Sequence, residues 1–421
     1  MKRVVCLLLS IVMISIVSFS IAQNNHVPFI QNISAEEILD DWADILELDK
    51  RIDFEPQDKK LVDNLHSDNP PDFFSISGDE LPDLLTESFC APFTPSEKML
   101  EEINAMPPII QQALKENIYT QDGRLYAYPK GTELLPMLFW VPEAWKDSPF
   151  NDMTPPASYV DLLDFMEKYL DTPHEGFCFY YDLQEKKTPQ VDWVSLLLKC
   201  WVMQCRYQHQ EANLNNPEFV SLLKRTVELA NRLHKAEPNI KKQKGRQLIT
   251  KNYFGYTTNG QDQYTWKNMI PWRITADQLP LVDVNVYLYC ARNGGIYSDR
   301  ITELFDCIVD HRQDLVDGAV DYLSYLELNK NWIDVDNWNN RVIKKYGAGW
   351  KCFCMTQEYV DSIWEIEQYG IPCMVDDDYL SDVPWQILEE KCPVLIRQCA
   401  KGEISAEDFV TEMDRLVLKS D

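Results

Sequence analysis

Apolar and polar positions along the chain follow two different periods, which predict short strands separated by longer helices. The strictest alternation runs over residues 281–290, where every second side chain is apolar. Its apolar positions are Val282, Val284, Val286 and Leu288, and its polar positions are Asp283, Asn285, Tyr287 and Tyr289. A period of two predicts a half-exposed strand. Over residues 159–170 and 217–233 the apolar residues instead recur three and four positions apart, which predicts one-sided helices.

Other segments of the chain repeat these two patterns. Short apolar runs predict further strands at residues 72–77, 177–181 and 248–250. Ser158 and Ser405 each precede an aspartate by three residues, a spacing that predicts helix N-caps. Strands that alternate with helices predict an α/β fold. The length of 421 residues exceeds what a single hydrophobic core usually holds.

Residues 123–145 are predicted to carry the chain from one lobe to another. A tight turn opens a short aromatic strand at residues 125–128, and Pro129 is expected to end it because proline donates no ladder hydrogen bond. A second apolar run, residues 134–141, follows and leads into an amphipathic helix. Two buried strands in succession before a helix predict a crossing between two α/β lobes.

The first 22 residues have the pattern of a secretory signal. Lys2 and Arg3 precede an apolar run at residues 4–19, and residues 20–22 form a small-x-small cleavage site. We therefore expect a protein that is secreted, periplasmic or held at the cell surface. An uncleaved anchor is the alternative. No lipid-anchor cysteine stands at the cleavage point, and Cys6 lies too early to serve as one.

Charge and cysteine content narrow the range of partners. The formal net charge of −27 disfavours nucleic acid and anionic membrane surfaces, which are bound through clusters of Lys and Arg. Removal of the signal would leave 11 of the 12 cysteines, an odd number with irregular spacing. A chain of this size does not need disulfides to fold, so we predict mostly free, buried thiols.

The sequence contains no recognisable catalytic motif. The phosphate-binding loop, the dinucleotide fingerprint G-x-G-x-x-G, the nucleophile elbow G-x-S-x-G and the zinc motif H-E-x-x-H are all missing. The six histidines are scattered, and none has a partner at metal-ligand spacing. We therefore predict a protein that is not an enzyme and that needs neither a cofactor nor a metal.

Seven stretches follow one another along the chain in a recognisable order: Pro71-Asp72-Phe73-Phe74, Ala91-Pro92-Phe93, residues 123–129, Leu138-Phe139-Trp140-Val141, residues 156–162, residues 298–308 and residues 402–409. Together they resemble the extracellular solute-binding proteins of bacterial ABC transporters, in the branch that carries sugars and oligosaccharides. Three features depart from that family: residues 23–69 show no opening strand, Trp140-Val141 replaces the usual Tyr-Asn, and the lipid-anchor cysteine is missing.

The resemblance implies an α/β, two-lobed, periplasmic-binding-protein-like (type II) fold with a helical C-terminal part. It implies a monomer that captures a sugar or oligosaccharide and delivers it to the permease subunits of an ABC importer. The implied division is a signal at residues 1–22, lobe 1 at 23–140, lobe 2 at 141–280, a return to lobe 1 at 281–325, and a helical segment at 326–421 that packs on the lobes.

The resemblance and the aromatic content together indicate which residues would hold the ligand. Sugars stack on aromatic rings, and carboxylates and amides bind their hydroxyl groups. For each tryptophan, packing in the core is the competing interpretation. Lys130 and Glu133 are expected in an exposed loop, away from the ligand. The candidate ligand-binding residues are Trp140, Trp145, Tyr253, Phe254, Tyr256, Trp272, Asp283 and Asn285.

Two other functions remain open at this point. A structural or interaction protein could use the same fold with its cleft filled by its own side chains, which the departures near the N-terminus favour. A secreted carbohydrate-active enzyme would require two carboxylates that face each other across a cleft. The 67 acidic residues supply such pairs by chance, so the sequence favours no particular pair.

Overall fold

The protein is described by a computed structural model. It describes residues 54–55, 61–68, 70–180, 189–210, 212–237, 245–251, 265–295, 297–313, 316, 329–346, 354–373 and 391–417. Tyr253, Phe254 and Tyr256 lie outside these ranges, as do the signal segment and the N-terminal cleavage site.

Nine strands in the described ranges form two separate sheets. The first sheet has the order β1-β2-β8-β3, with β9 also paired to β8, and the second has the order β5-β6-β4-β7. The strands are β1 (Phe54–Glu55), β2 (Phe73–Ser77), β3 (Ala127–Leu135), β4 (Leu138–Trp140), β5 (Phe177–Tyr180), β6 (Arg246–Thr250), β7 (Met269–Ile270), β8 (Leu281–Ala291) and β9 (Ile371–Cys373).

The chain changes sheets where a crossing was predicted. Strand β3 belongs to the first sheet and ends at Leu135, and β4 begins at Leu138 in the second sheet. The return runs from β7, which pairs with β4, to β8, which lies at the centre of the first sheet. Strand β8 covers the strand predicted at residues 281–290 and is the longest one described. It pairs antiparallel with both β2 and β3.

Two strand predictions are wrong. Residues 23–69 do contain a strand of the first sheet, because β1 pairs in parallel with β2 at Phe73 and Phe74. Two residues are too few to show a period-two pattern, so the sequence gives no signal for β1. Pro129 does not end its strand either: β3 continues through it to Leu135.

The position of Pro129 in the ladder explains why it is tolerated. Strand β3 lies at the end of the described sheet order, and its register with β8 shifts between Pro129 and Gly131. Edge strands and bulges are the places where a sheet accommodates proline. Lys130 and Glu133 are consequently partly buried residues of a strand rather than exposed loop residues, which corrects the prediction for both.

The helices cover the sheets and begin where the sequence places their caps. Ser158 Oγ accepts the N–H of Asp161 at 3.2 Å, and Ser405 Oγ accepts the N–H of Asp408 at 3.0 Å. None of the described helices is long and apolar enough to cross a membrane. They are α1 (Leu61–Leu65), α2 (Leu81–Thr86), α3 (Glu97–Asn104), α4 (Pro108–Asn117), α5 (Pro142–Asp147), α6 (Tyr159–Leu170), α7 (Pro189–Tyr207), α8 (Pro217–Ala236), α9 (Ile301–Asp310), α10 (Val335–Tyr346), α11 (Gln357–Ile363), α12 (Cys392–Ala400) and α13 (Ala406–Val417).

The buried apolar side chains form two cores. The first core packs around the first sheet and includes Phe74, Ile76, Val284 and Leu288. The second core packs around the second sheet and includes Leu163, Leu197, Leu248 and Ile249. The C-terminal region contributes to both, because α11 packs in the first core while α12 and α13 pack in the second. The lobe boundaries given by residue number stay a prediction.

The cysteines are free thiols wherever their side chains are described, as predicted. Seven of these nine are buried and two, Cys205 and Cys307, are partly exposed. Burial raises the pKa of the Cys200 thiol well above its ordinary value. Such cysteines act as small apolar side chains of the core.

Candidate functional site

Polar side chains from three neighbouring strands share one face of the first sheet. In the ladder, Tyr287 of β8 lies opposite Ser77 of β2, and Asn285 lies opposite Glu133 of β3. Residues opposite each other in a ladder point to the same side of the sheet. The alternate positions Val284, Val286 and Leu288 point the other way, into the first core, and Tyr289 on the near side is also buried in that core. We call this set the polar face: Ser75, Ser77, Lys130, Glu133, Asn285, Tyr287 and Tyr289.

Hydrogen bonds across the strands hold the polar face in place. The Ser77 hydroxyl donates to Asn285 Oδ1 at 2.8 Å, and the Tyr287 hydroxyl donates to Glu133 Oε2 at 3.1 Å. Glu133, Asn285 and Tyr287 are partly exposed, so each can still meet a ligand. A site whose side chains are already fixed loses little conformational entropy when it binds.

A cation lies on the same face. The Lys130 ammonium donates to Ser75 Oγ at 3.4 Å and stands 5.7 Å from the centre of the Tyr289 ring. The shift in register after Pro129 places Lys130 on this side of the strand. The polar face thus combines hydroxyl, amide, carboxylate and ammonium groups with aromatic rings.

The end of β2 is fixed by its own turn. The Ser77 backbone N–H donates to Glu80 Oε2 at 2.7 Å, and a helical turn follows at Gly78–Glu80. The sequence Ser-x-x-Glu is a capping-box pattern, so this turn was readable from the sequence. It orients the Ser77 hydroxyl towards Asn285.

Asp283 lies at the end of the polar side of β8 and forms an ion pair with another residue of the protein. Lys199 of α7 places its ammonium 2.5 Å from Asp283 Oδ2, and the two side chains are 15% and 1% exposed. The carboxylate therefore forms a buried ion pair with a helix of the second core. This arrangement favours a structural role for Asp283 over the ligand contact predicted for it.

Two of the predicted tryptophans are core residues. The Trp145 indole N–H donates to the Met153 carbonyl at 3.1 Å, and its ring packs 4.6 Å from the Phe165 ring. The Trp272 indole N–H donates to the Leu135 carbonyl at 2.6 Å. Both side chains are buried, so neither offers a ring face to a ligand in this arrangement. Their geometry favours the packing interpretation.

Trp140 differs from these two because it is only partly buried. It closes β4, opposite Ile249 of β6, and its ring centre lies 6.2 Å from that of Trp145 in an edge-to-face arrangement. The buried Trp145 ring thus packs against the Trp140 ring, part of which stays exposed. Tyr253, Phe254 and Tyr256, which lie outside the described residues, stay predictions.

The sequence named Asn285 but missed its neighbours. Tyr287 stands on the polar side of the same alternating strand, so the period of two was a signal for it. Glu133 was missed because Pro129 made its strand appear to end. Within the described ranges, no three His, Cys, Asp or Glu side chains lie close enough to hold a metal ion. The polar face is suited to hydrogen bonding with a polar, uncharged ligand.

No family model matches the sequence, and no curated protein matches it either. Solved structures do match. A cyclic alpha-maltosyl-1,6-maltose binding protein from Arthrobacter globiformis is 12% identical, with 91% of this chain and 94% of that chain covered and a TM-score of 0.53. The chain has the same two-lobed, periplasmic-binding-protein-like fold as this structure.

Two further structures agree with this fold. A cyclo/maltodextrin-binding protein in complex with maltotetraose is 12% identical, covers 91% of this chain and 92% of its own, and has a TM-score of 0.51. CpMnBP1 with mannotriose bound is 11% identical, covers 91% of this chain and 97% of its own, and has a TM-score of 0.52. The predicted fold class is therefore confirmed, while identities this low leave the ligand of this chain open.

Proposed function

We propose that the protein is an extracellular solute-binding protein that captures a carbohydrate. The observation that carries the proposal is the pair of cross-strand hydrogen bonds on the polar face, Tyr287 to Glu133 and Ser77 to Asn285. They lie beside the crossing, since β3 ends at Leu135. Groups that are fixed, partly exposed and able to donate and accept are what a polyhydroxylated ligand needs.

The chemistry of the polar face matches that of a sugar. Sugar hydroxyls donate to carboxylates and amide oxygens, which Glu133 and Asn285 supply, and the apolar faces of the ring stack on aromatic side chains. Tyr287 and Trp140 are two partly exposed aromatic residues near the crossing. The three similar structures are sugar-binding proteins by their descriptions, which supports the same ligand class here.

The same fold supports a proposal about where the protein acts and with which partners. We propose that the protein acts outside the cytoplasm as a monomer and passes its ligand to the permease subunits of an ABC importer. We also propose that it has no catalytic activity. Hydrolysis of a sugar by two carboxylates would need a second carboxylate that faces Glu133 across the site. Asp283, the one acidic residue of β8, is held in the ion pair with Lys199.

Binding can be tested on protein expressed without residues 1–22. Its thermal unfolding would be followed against a panel of monosaccharides and oligosaccharides, with calorimetry for any sugar that raises the midpoint. A ligand that binds only the folded state adds about 2.7 kcal/mol of stability at 100 times its Kd. Glu133→Gln should weaken binding about 10- to 100-fold because it removes a charged acceptor.

A matched control comes from an exposed glutamate on a helix of the second core. Glu228→Gln in α8 changes the same chemical group far from the polar face and should leave the affinity unchanged. If no sugar shifts the midpoint, the carbohydrate proposal fails and the interaction-protein alternative gains support. If sugars bind but Glu133→Gln binds them equally well, the ligand lies elsewhere.

A further inference from the structure

The last residue pair of the β3–β8 ladder is held by side chains from the elements of the second core. That pair consists of Leu135, the final residue of β3, and Asp283, near the start of β8. It lies where the chain leaves one sheet for the other, because Leu281 packs in the second core and Val284 in the first. Movement between the two lobes therefore bends the chain near this residue pair.

Trp272 contacts this residue pair on the β3 side, and Lys199 contacts it on the β8 side. The Trp272 indole N–H donates to the Leu135 carbonyl at 2.6 Å, and the Lys199 ammonium lies 2.5 Å from Asp283 Oδ2. The two contacts are joined, since Lys199 Nζ also stands 5.2 Å from the centre of the Trp272 ring. We call this closed set of four residues, Leu135, Lys199, Trp272 and Asp283, the hinge clamp.

Helix α7 anchors the clamp from the side of the second core. Besides Lys199 it carries Gln204, whose side-chain amide donates to the carbonyls of Trp272 and Leu279 at 2.7 Å each. The segment that leads into β8 is therefore tied to α7 at both ends. Gln204 is itself buried, which strengthens these bonds because water does not compete for them.

We propose that the hinge clamp fixes the crossing strands to α7 and sets how readily the two lobes move apart. Separating α7 from this residue pair breaks the ion pair and the indole hydrogen bond together. Breaking the ion pair takes the Lys199 ammonium away from the Asp283 carboxylate, which is fully buried. Separating the partners of a buried ion pair is costly, so the clamp opposes opening. This inference does not depend on the identity of a ligand.

Hydrogen exchange measured by mass spectrometry on the purified protein tests the clamp. Trp272→Phe keeps a ring in place, removes the donor to Leu135 and changes no charge. We expect exchange about fivefold faster in peptides that cover residues 133–141 and 279–285. Exchange in α8 should not change. Lys199→Met should have a larger effect on the same peptides, and Lys199→Arg should largely restore protection.

The control removes an ion pair of the same lobe that lies away from the crossing. Lys224→Met breaks the exposed contact with Glu407 and should leave both crossing peptides unchanged. The proposal is overturned if Trp272→Phe and Lys199→Met leave exchange in those peptides at the wild-type rate. It is also overturned if protection is lost evenly over the whole chain, since that result indicates general destabilisation. Loss of sugar binding plays no part in either outcome.

Discussion

Arg312, which follows α9, connects a buried ion pair to the strand that carries Glu133. Its Nη2 lies 2.6 Å from Glu102 Oε1 and donates to the Pro129 carbonyl at 3.0 Å. The two charged side chains are 3% and 8% exposed. The guanidinium also stands 5.7 Å from the Tyr128 ring centre. It therefore supports β3 at the shift in register that places Lys130 and Glu133 on the polar face.

Replacing Arg312 by methionine should destabilise the protein by about 3–5 kcal/mol, the usual cost of removing one partner of a buried ion pair. Water cannot replace the lost cation, because Glu102 is almost fully buried. Tyr128 is no substitute cation: burial and the Glu102 carboxylate raise its pKa well above the ordinary value, so its hydroxyl stays neutral and brings no positive charge to Glu102. Glu102→Leu combined with Arg312→Met removes both charges and should cost less than Arg312→Met alone.

Urea unfolding followed by tryptophan fluorescence measures these changes. Arg232→Met is the matched control, because it breaks an exposed pair with Asp171 and should cost less than about 1 kcal/mol. The reasoning is refuted if Arg312→Met unfolds within about 1 kcal/mol of the wild type. It is refuted equally if the double variant is less stable than Arg312→Met, since the penalty then does not come from an uncompensated charge.

Two further predictions concern the cores and the helix caps. Burial, aided by the Glu237 carboxylate, raises the pKa of the Cys178 thiol to about 12, and burial alone raises that of Cys399 to about 12. Both should resist a thiol-specific disulfide reagent at about pH 8 in the native protein and react after unfolding, since the thiolate is the reactive form. Ser158→Ala should cost about 1 kcal/mol in urea unfolding because it removes the N-cap of α6; an unchanged midpoint would contradict the assigned cap.

The elements that the sequence predicted well are those with several turns or several alternations. Strand β8 shows a period of two over its length, and α6 and α8 show apolar spacing of three and four. The cap at Ser405 needs only residues within one turn. In each case the pattern depends on neighbours in the chain, so it is present before any folding.

The errors share a cause, because each concerns a residue whose state depends on a distant partner. Strand β1 exists only through its pairing with β2. Pro129 stays within its strand because β3 lies at the end of the described sheet and bulges there. Glu133 joined the candidate site only when that strand was seen to continue. No local pattern contains this information.

The sequence by itself determined the α/β class, the place of the crossing and the polar side of β8, because the periodicity of apolar residues is a local property. Only the tertiary structure decided which candidates are buried among partners of their own and which stay partly exposed. The Trp272 indole reaches a carbonyl 137 residues away, and Lys199 of α7 reaches Asp283 of β8. Composition cannot separate a tryptophan that packs from one that binds, since both bury an aromatic ring. The difference lies in which distant groups satisfy the N–H and cover the ring.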